Sequence, residues 1–155
     1  MGERDDVRAI LVTLLIGGEQ ALFVMLASDG TINRMGTGAL DNAERDLFIG
    51  RTDAEVLQQL RRKISDELLG WCGQARSAPE KLGKVCDLTV GFMRPDGQES
   101  MMSWQYGSES QSPPREVCDF VVAAVEATNP WYERQKAIAR QVGRGPSKKW
   151  WQFWS

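Results

Sequence analysis

Residues 9–27 read AILVTLLIGGEQALFVMLA, nineteen positions with a glycine pair near the centre. The length is close to that of a membrane-spanning helix. Gly17-Gly18-Glu19-Gln20 sit in the middle, however, where paired glycines weaken a helix and a charge costs about 2.5–3.5 kcal/mol in a bilayer. Each apolar half is only about eight residues long, the length of a buried strand. Two strands joined by a Gly-Gly turn account for the stretch better than one helix. A chain that begins this way is committed to a sheet.

The rest of the sequence extends that sheet and adds helices. Arg8–Ile16 and Ala21–Ser28 are the first two predicted strands. The Ser28-Asp29-Gly30 turn leads to a third at Thr31–Met35, and Leu47-Phe48-Ile49 reads as a short fourth. Thr52 followed by Glu55 has the spacing of a capping box, so a helix is expected from Asp53 to Leu69, stopping at Gly70. Val56, Leu57, Leu60, Ile64 and Leu68 would form its apolar face. Gln74–Lys84 reads as a polar connection. Val85–Met93 and Glu99–Tyr106 form another hairpin across Arg94-Pro95-Asp96-Gly97, where Pro and Gly suit a tight turn. Ser112 with Pro113 can open a second helix, and Asn129-Pro130 is expected to end it and cap a third from Trp131 to about Val142.

The two halves share features. Each has a hairpin turning at Asp-Gly and then an amphipathic helix containing Glu-Val, Glu55-Val56 in one and Glu116-Val117 in the other. The expected fold is therefore α+β: an antiparallel sheet of β-hairpins with amphipathic helices on one face, built either from a duplicated β-β-α unit or from two independent halves. The expected organisation is a single α+β domain over 1–142, followed over 143–155 by a flexible linker and an aromatic-basic C-terminal tail.

Composition narrows the chemistry. There is no histidine, which removes Ser-His-Asp and Cys-His catalysis, His-ligated metals and the usual proton shuttle near neutral pH. No phosphate-cradling glycine motif is present; Gly36-Thr37-Gly38 is too short. Asp41–Asp46 lacks the Gly and Glu spacing of a calcium loop. No cofactor or metal is expected. The three cysteines, Cys72, Cys86 and Cys118, match no zinc or CxxC spacing. The segment MGERDDVR lacks a signal peptide's basic region, so the expectation is a cytoplasmic protein with reduced thiols that serve as small buried hydrophobes.

Carboxylate, Lys, Tyr or Cys chemistry remains open, and a thiol nucleophile is the least unfavourable of these options. Cys118 falls in the first turns of a predicted helix, where the dipole favours thiolate, whereas Cys72 follows a helix end, which does the opposite. Neither has an evident base. Asp29 and Asp96 precede glycine, where Asp stabilises a turn. Trp104 and Tyr106 alternate along a strand and so share a face; they either join the core or present rings for stacking, and core packing is the expectation.

Charge and aromatic residues concentrate at the C-terminal end. Residues 131–155 carry a net +5 within a chain of net −2. Lys148 and Lys149 precede Trp150, Trp151, Phe153 and Trp154, after the spacer Gly143-Arg144-Gly145-Pro146-Ser147. Covering four rings gains about 6–12 kcal/mol, while ordering about ten residues costs about 1–2 kcal/mol each. The two nearly cancel, so such a segment is ordered only when most of its rings are covered together, by its own domain or a twin subunit's, by a groove on a different protein, or by a membrane surface.

The expected function is a non-catalytic protein-interaction module or small assembly subunit that uses this tail as its anchor, with another protein or a second copy of the chain as partner. Peripheral association with an anionic membrane surface is one alternative, and a histidine-free enzyme of thiol or carboxylate type is another. Nucleic acid is disfavoured because the body is acidic.

Overall fold

The computed structural model describes residues 6–110 and 112–142. These form a mixed α+β fold around one seven-stranded sheet, ordered β4-β3-β2-β1-β6-β7-β5. β1 (Ala9–Ile16) lies at the centre and pairs antiparallel with both β2 (Glu19–Ala27) and β6 (Val85–Met93). From β1 the chain steps outward through β2, β3 (Thr31–Gly36) and the edge strand β4 (Phe48–Arg51). It then crosses the sheet through two short helices, α1 (Glu55–Arg61) and α2 (Asp66–Leu69), to the opposite edge. There β5 (Ala75–Ser77) runs parallel to β7 (Glu99–Gly107), which pairs antiparallel with β6.

The Gly17-Gly18 turn closes the central hairpin in the expected way. Both glycines have positive φ, 60° and 83°, as a two-residue hairpin turn matching strand twist requires. The β1–β2 register shifts between Leu14 and Leu15. As a result neighbouring Ala21 and Leu22 are both buried, which strict alternation would forbid.

All three helices pack on one face. Ile10, Val12 and Leu14 of β1, Leu22, Val24 and Leu26 of β2, and Leu88, Val90 and Phe92 of β6 form the sheet side of the core. Leu57 and Leu60 of α1, Leu68 of α2, and Val117, Phe120 and Ala124 of α3 (Arg115–Val142) close over them. At about 42 Å, a 28-residue helix exceeds the roughly 29 Å spanned by six strand spacings, so α3 can cross the whole sheet. Its contacts trace that path. Glu116 accepts a 2.7 Å bond from the Trp71 indole near the β7 side. Phe120 meets Phe92 of β6 edge-on at 5.5 Å, and Trp131 lies against Gly50 of β4, where a Cβ would come within 2.9 Å of the indole.

Three expectations are corrected. The helix over Asp53–Leu69 is broken: Ser65 adopts an extended conformation and its side chain accepts from the Leu68 amide at 3.1 Å, starting α2 afresh. This is the local competition by which serine interrupts helices. The Thr52–Glu55 capping box does not form; Ala54 occupies the cap position with no side-chain cap bond. The connection at 74–84 contains a strand, β5, whose exposed residues carry no strand signal and whose pairing is long-range.

The largest departure is at Pro130, which lies inside α3 instead of separating two helices. The reason is Arg34 of β3, only 1% exposed. Its guanidinium donates to the Val125 carbonyl at 3.3 Å, to Thr128 Oγ1 at 2.9 Å and to Asn129 Oδ1 at 2.9 Å, and also to the Gly36 carbonyl at 3.0 Å. It stacks 4.3 Å from the Tyr132 ring. Asn129 is thereby held as an acceptor for Arg34 and is not free to cap a new helix. Proline leaves one helix bond unmade, and the buried cation secures the turn that would otherwise open.

Replacing Arg34 with Met should therefore lower stability by about 2–4 kcal/mol, because Thr128 and the Val125 carbonyl lose a charged donor. Urea denaturation would show this, and hydrogen exchange of the variant should rise first on both sides of Pro130. Lysine should rescue only in part, since it lacks the planar fork.

Candidate functional site

The expected anchor residues, Lys148, Lys149, Trp150, Trp151, Phe153 and Trp154, lie outside the described residues. What the structure does place is the point from which they depart. The last turns of α3, at Ala139 and Arg140, border a cleft with Ala43–Asp46 and Phe48, beside the edge strand β4.

Among the described residues, the sheet's other face carries no helix. Register places Ile49, Asn33, Met25, Leu11, Gly91 and Met101 in one row across six strands. The adjacent row is Met35, Phe23, Thr13, Thr89 and Ser103. None of these eleven positions is charged. An antiparallel sheet with one solvated face normally alternates apolar inward with polar outward, so this face has the composition of something covered. Charges appear only around it, at Arg51, Asp87 and Glu99.

Exposure follows the same map. Ile49 is 68% exposed and Met101 38%, while Leu11, Phe23 and Met25 are half-buried. At Gly91 the missing side chain leaves a hollow of about 200 Å³ bordered by Leu11, Met25, Met93 and Met101. Asn33 is the one amide in the two rows, and its side-chain oxygen is buried with no hydrogen-bond partner among the described residues. Buried acceptors are rarely left so.

The anchor reading missed this surface, although its signal was in the sequence. β1 and β2 are apolar at both parities, AILVTLLI and EQALFVMLA. In a sheet covered on one side only, half of those residues must face outward.

A second concavity, about 340 Å³, lies between Trp71, Trp104, Tyr106, Arg76 and the 113–114 prolines. Trp104 is buried against the core and meets Trp71 edge-on at 5.1 Å. Of the two readings for Trp104, core packing is the one observed, and Tyr106 is half-buried beside it. The thiols are poorly set for nucleophilic work. Burial, then Asp119 and Glu116, pushes the Cys118 thiol up, against the lowering expected from its place in the helix. Burial and Asp87 do the same to Cys86. Among the described residues no three Cys, Asp or Glu side chains gather as a metal site would need.

The only tight ionic cluster among the described residues joins the 37–47 loop to α3. Glu44 accepts from the Tyr132 hydroxyl and from Lys136 Nζ, each at 2.8 Å, and Lys136 also reaches Glu133. The Tyr132 hydroxyl accepts in turn from the Gly36 amide at 3.0 Å, and its ring lies between Arg34 and Lys136. Burial alone would raise the Glu44 carboxyl, but the bonds from Lys136 and Tyr132 outweigh it and hold the group below its ordinary range. Lys136 is raised by the same pairing with Glu133 and Glu44, against the opposing effect of burial. Every donor here is spent on fastening the loop to the helix, so the cluster is structural.

Comparison with protein-family models, with curated proteins and with solved structures finds no match to this chain. Its function must be argued from the geometry.

A depressed carboxyl stabilises the fold above its unfolded value, here 4.5, and that stabilisation is lost as pH falls through the lower folded value. The parent should accordingly be more stable than Glu44→Gln at about pH 7, and its advantage should shrink as the pH is taken below 4.5. Urea midpoints across that range would measure the difference; a gap independent of pH would contradict the assignment.

Proposed function

We propose that the protein is a non-catalytic interaction module, or small assembly subunit, that works by sheltering apolar surface. The observation that carries this reading is the charge-free, helix-free sheet face, with Ile49 and Met101 at its exposed ends. Exposed apolar areas rimmed by polar residues mark interaction sites on soluble proteins. The aromatic segment at 150–154 is the anchor in this reading, and a second copy or another protein the partner. The raised thiols and the ionic cluster committed to a structural role give the enzymatic alternative no comparable support.

We also propose that the halves derive from one β-β-α unit. Support comes from the matching turns: Asp29 and Asp96 each accept from the amide two residues on at 2.9 Å, and Gly30 and Gly97 take φ of 91° and 86°.

Sedimentation velocity on the full chain tests the interaction reading. Met25→Asp, or alanine at the four terminal rings, is expected to change the mass distribution over a concentration series. Both changes should shift the denaturation midpoint by less than about 1 kcal/mol, since neither touches the helix-side core. Parent and variants sedimenting alike would remove the basis for this function.

A further inference from the structure

We infer that the partner of the uncharged sheet face is a second copy of this chain, packed face to face about a two-fold axis that runs along the strands. This rests on the reading of that face as the interaction surface and names what covers it.

Charges at the rim set the arrangement. One row beyond Ile49 and Asn33, Arg51 of β4 stands beside Thr31. The same row continues through Ala27, Ala9 and Met93 and ends at Glu99 of β7. It carries a cation at one end and an anion at the other, about 24 Å apart across five strand spacings. Both residues are exposed. Arg51 feels Asp29 of the neighbouring turn, but among the described residues neither Arg51 nor Glu99 forms an ion pair. Too distant to meet within one chain, the two match each other between two chains. A two-fold axis along the strands, between β1 and β2, lays β4 of one copy over β7 of the other. Arg51 then meets the partner's Glu99, and symmetry repeats the pair at the opposite edge. An axis across the strands sets β4 over β4 and β7 over β7, where neither charge finds its opposite.

Shape agrees with charge. In this arrangement Phe23 lies over the partner's Thr13, Met35 over the partner's Thr89, and Asn33 over the partner's Gly91. Each places a larger side chain against a smaller one. Met25 meets the partner's Leu11, and Ile49 meets the partner's Met101, apolar against apolar. Glu99 borders the hollow at Gly91, and Arg51 answers its charge as that edge closes. Asp87 lies one row beyond Thr89, accepts from Gln105 at 2.9 Å and faces the end of the partner's β3. Both sheets twist with one hand. A two-fold axis along the strands maps one twisted surface onto the other with an even gap, near the usual 10 Å of stacked sheets.

The area is sufficient. Six strands and four rows make a face about 24 Å wide and about 27 Å long. Two copies cover about 1,200 Å² between them, above the roughly 1,000 Å² that a specific association needs.

Charge exchange tests the pairing, because Arg51 and Glu99 cannot reach each other inside one chain. Sedimentation velocity of the full chain over a concentration series should show a monomer–dimer equilibrium. R51E or E99R alone puts two like-charge pairs into the dimer and should raise its dissociation constant about tenfold. An equimolar mixture of R51E and E99R restores both pairs across the interface and should dimerise as tightly as the parent. The double variant R51E/E99R should do the same. Unchanged circular dichroism would certify the fold of each variant.

A parent that stays monomeric throughout the series, or a mixture that dimerises no better than its components, would overturn the inference. A dimer weakened by Met25→Asp but indifferent to charge exchange would overturn this arrangement alone and leave the interaction reading standing. Parent, Met25→Asp and ring variants that sediment alike would remove both.

Discussion

Among the described residues Arg34 is the one cation buried to 1% exposure, and the direction of α3 depends on it. A guanidinium in a low-dielectric setting must be surrounded by acceptors. Here they come from β3 itself and from three consecutive features of α3: the Val125 carbonyl, Thr128 and Asn129. Because those acceptors lie in the turn before Pro130 and the Tyr132 ring that stacks on Arg34 lies just after it, the same cation holds the helix on both sides of a residue that would ordinarily end it. A continuous α3 then spans from the Trp71 side to β4.

The second constraint is geometric. Three helices cover one side of a seven-stranded sheet, and strands alternate their side chains. Whatever β1 and β2 place at odd positions must face away from those helices. Leu11, Phe23 and Met25 are therefore outward because Ile10, Leu22 and Val24 are inward, not through any choice of their own. A purely solvated face would carry lysine or glutamate at these points. Its lack of charge is what sets it apart from an ordinary solvated sheet face.

Much of the architecture was legible from local chemistry. The Gly17-Gly18 turn, the Asp-Gly turns and the apolar runs around them marked strands within a residue or two of their observed ends, because hairpins are made by contacts near in sequence. The errors share a cause of the opposite kind. β5 is held by pairing with β7, some 28 residues away; Pro130 is tolerated because of Arg34, 96 positions earlier; Ser65 breaks a helix whose apolar spacing was regular, because its own hydroxyl caps a new turn. The open face was half legible. Two-sided apolar strands were plain to see, but only the register across six strands shows that the uncharged positions align.

By itself, the amino-acid order determined six of the seven strands, the class of fold, the absence of histidine chemistry and the gathering of four rings at 150–154, since these follow from composition and short-range preference. Tertiary structure alone decided that α3 runs unbroken to the β4 edge and that eleven uncharged positions from six strands become one surface. The physical reason is that burial and pairing are settled between residues far apart in the chain, where local propensity has no say.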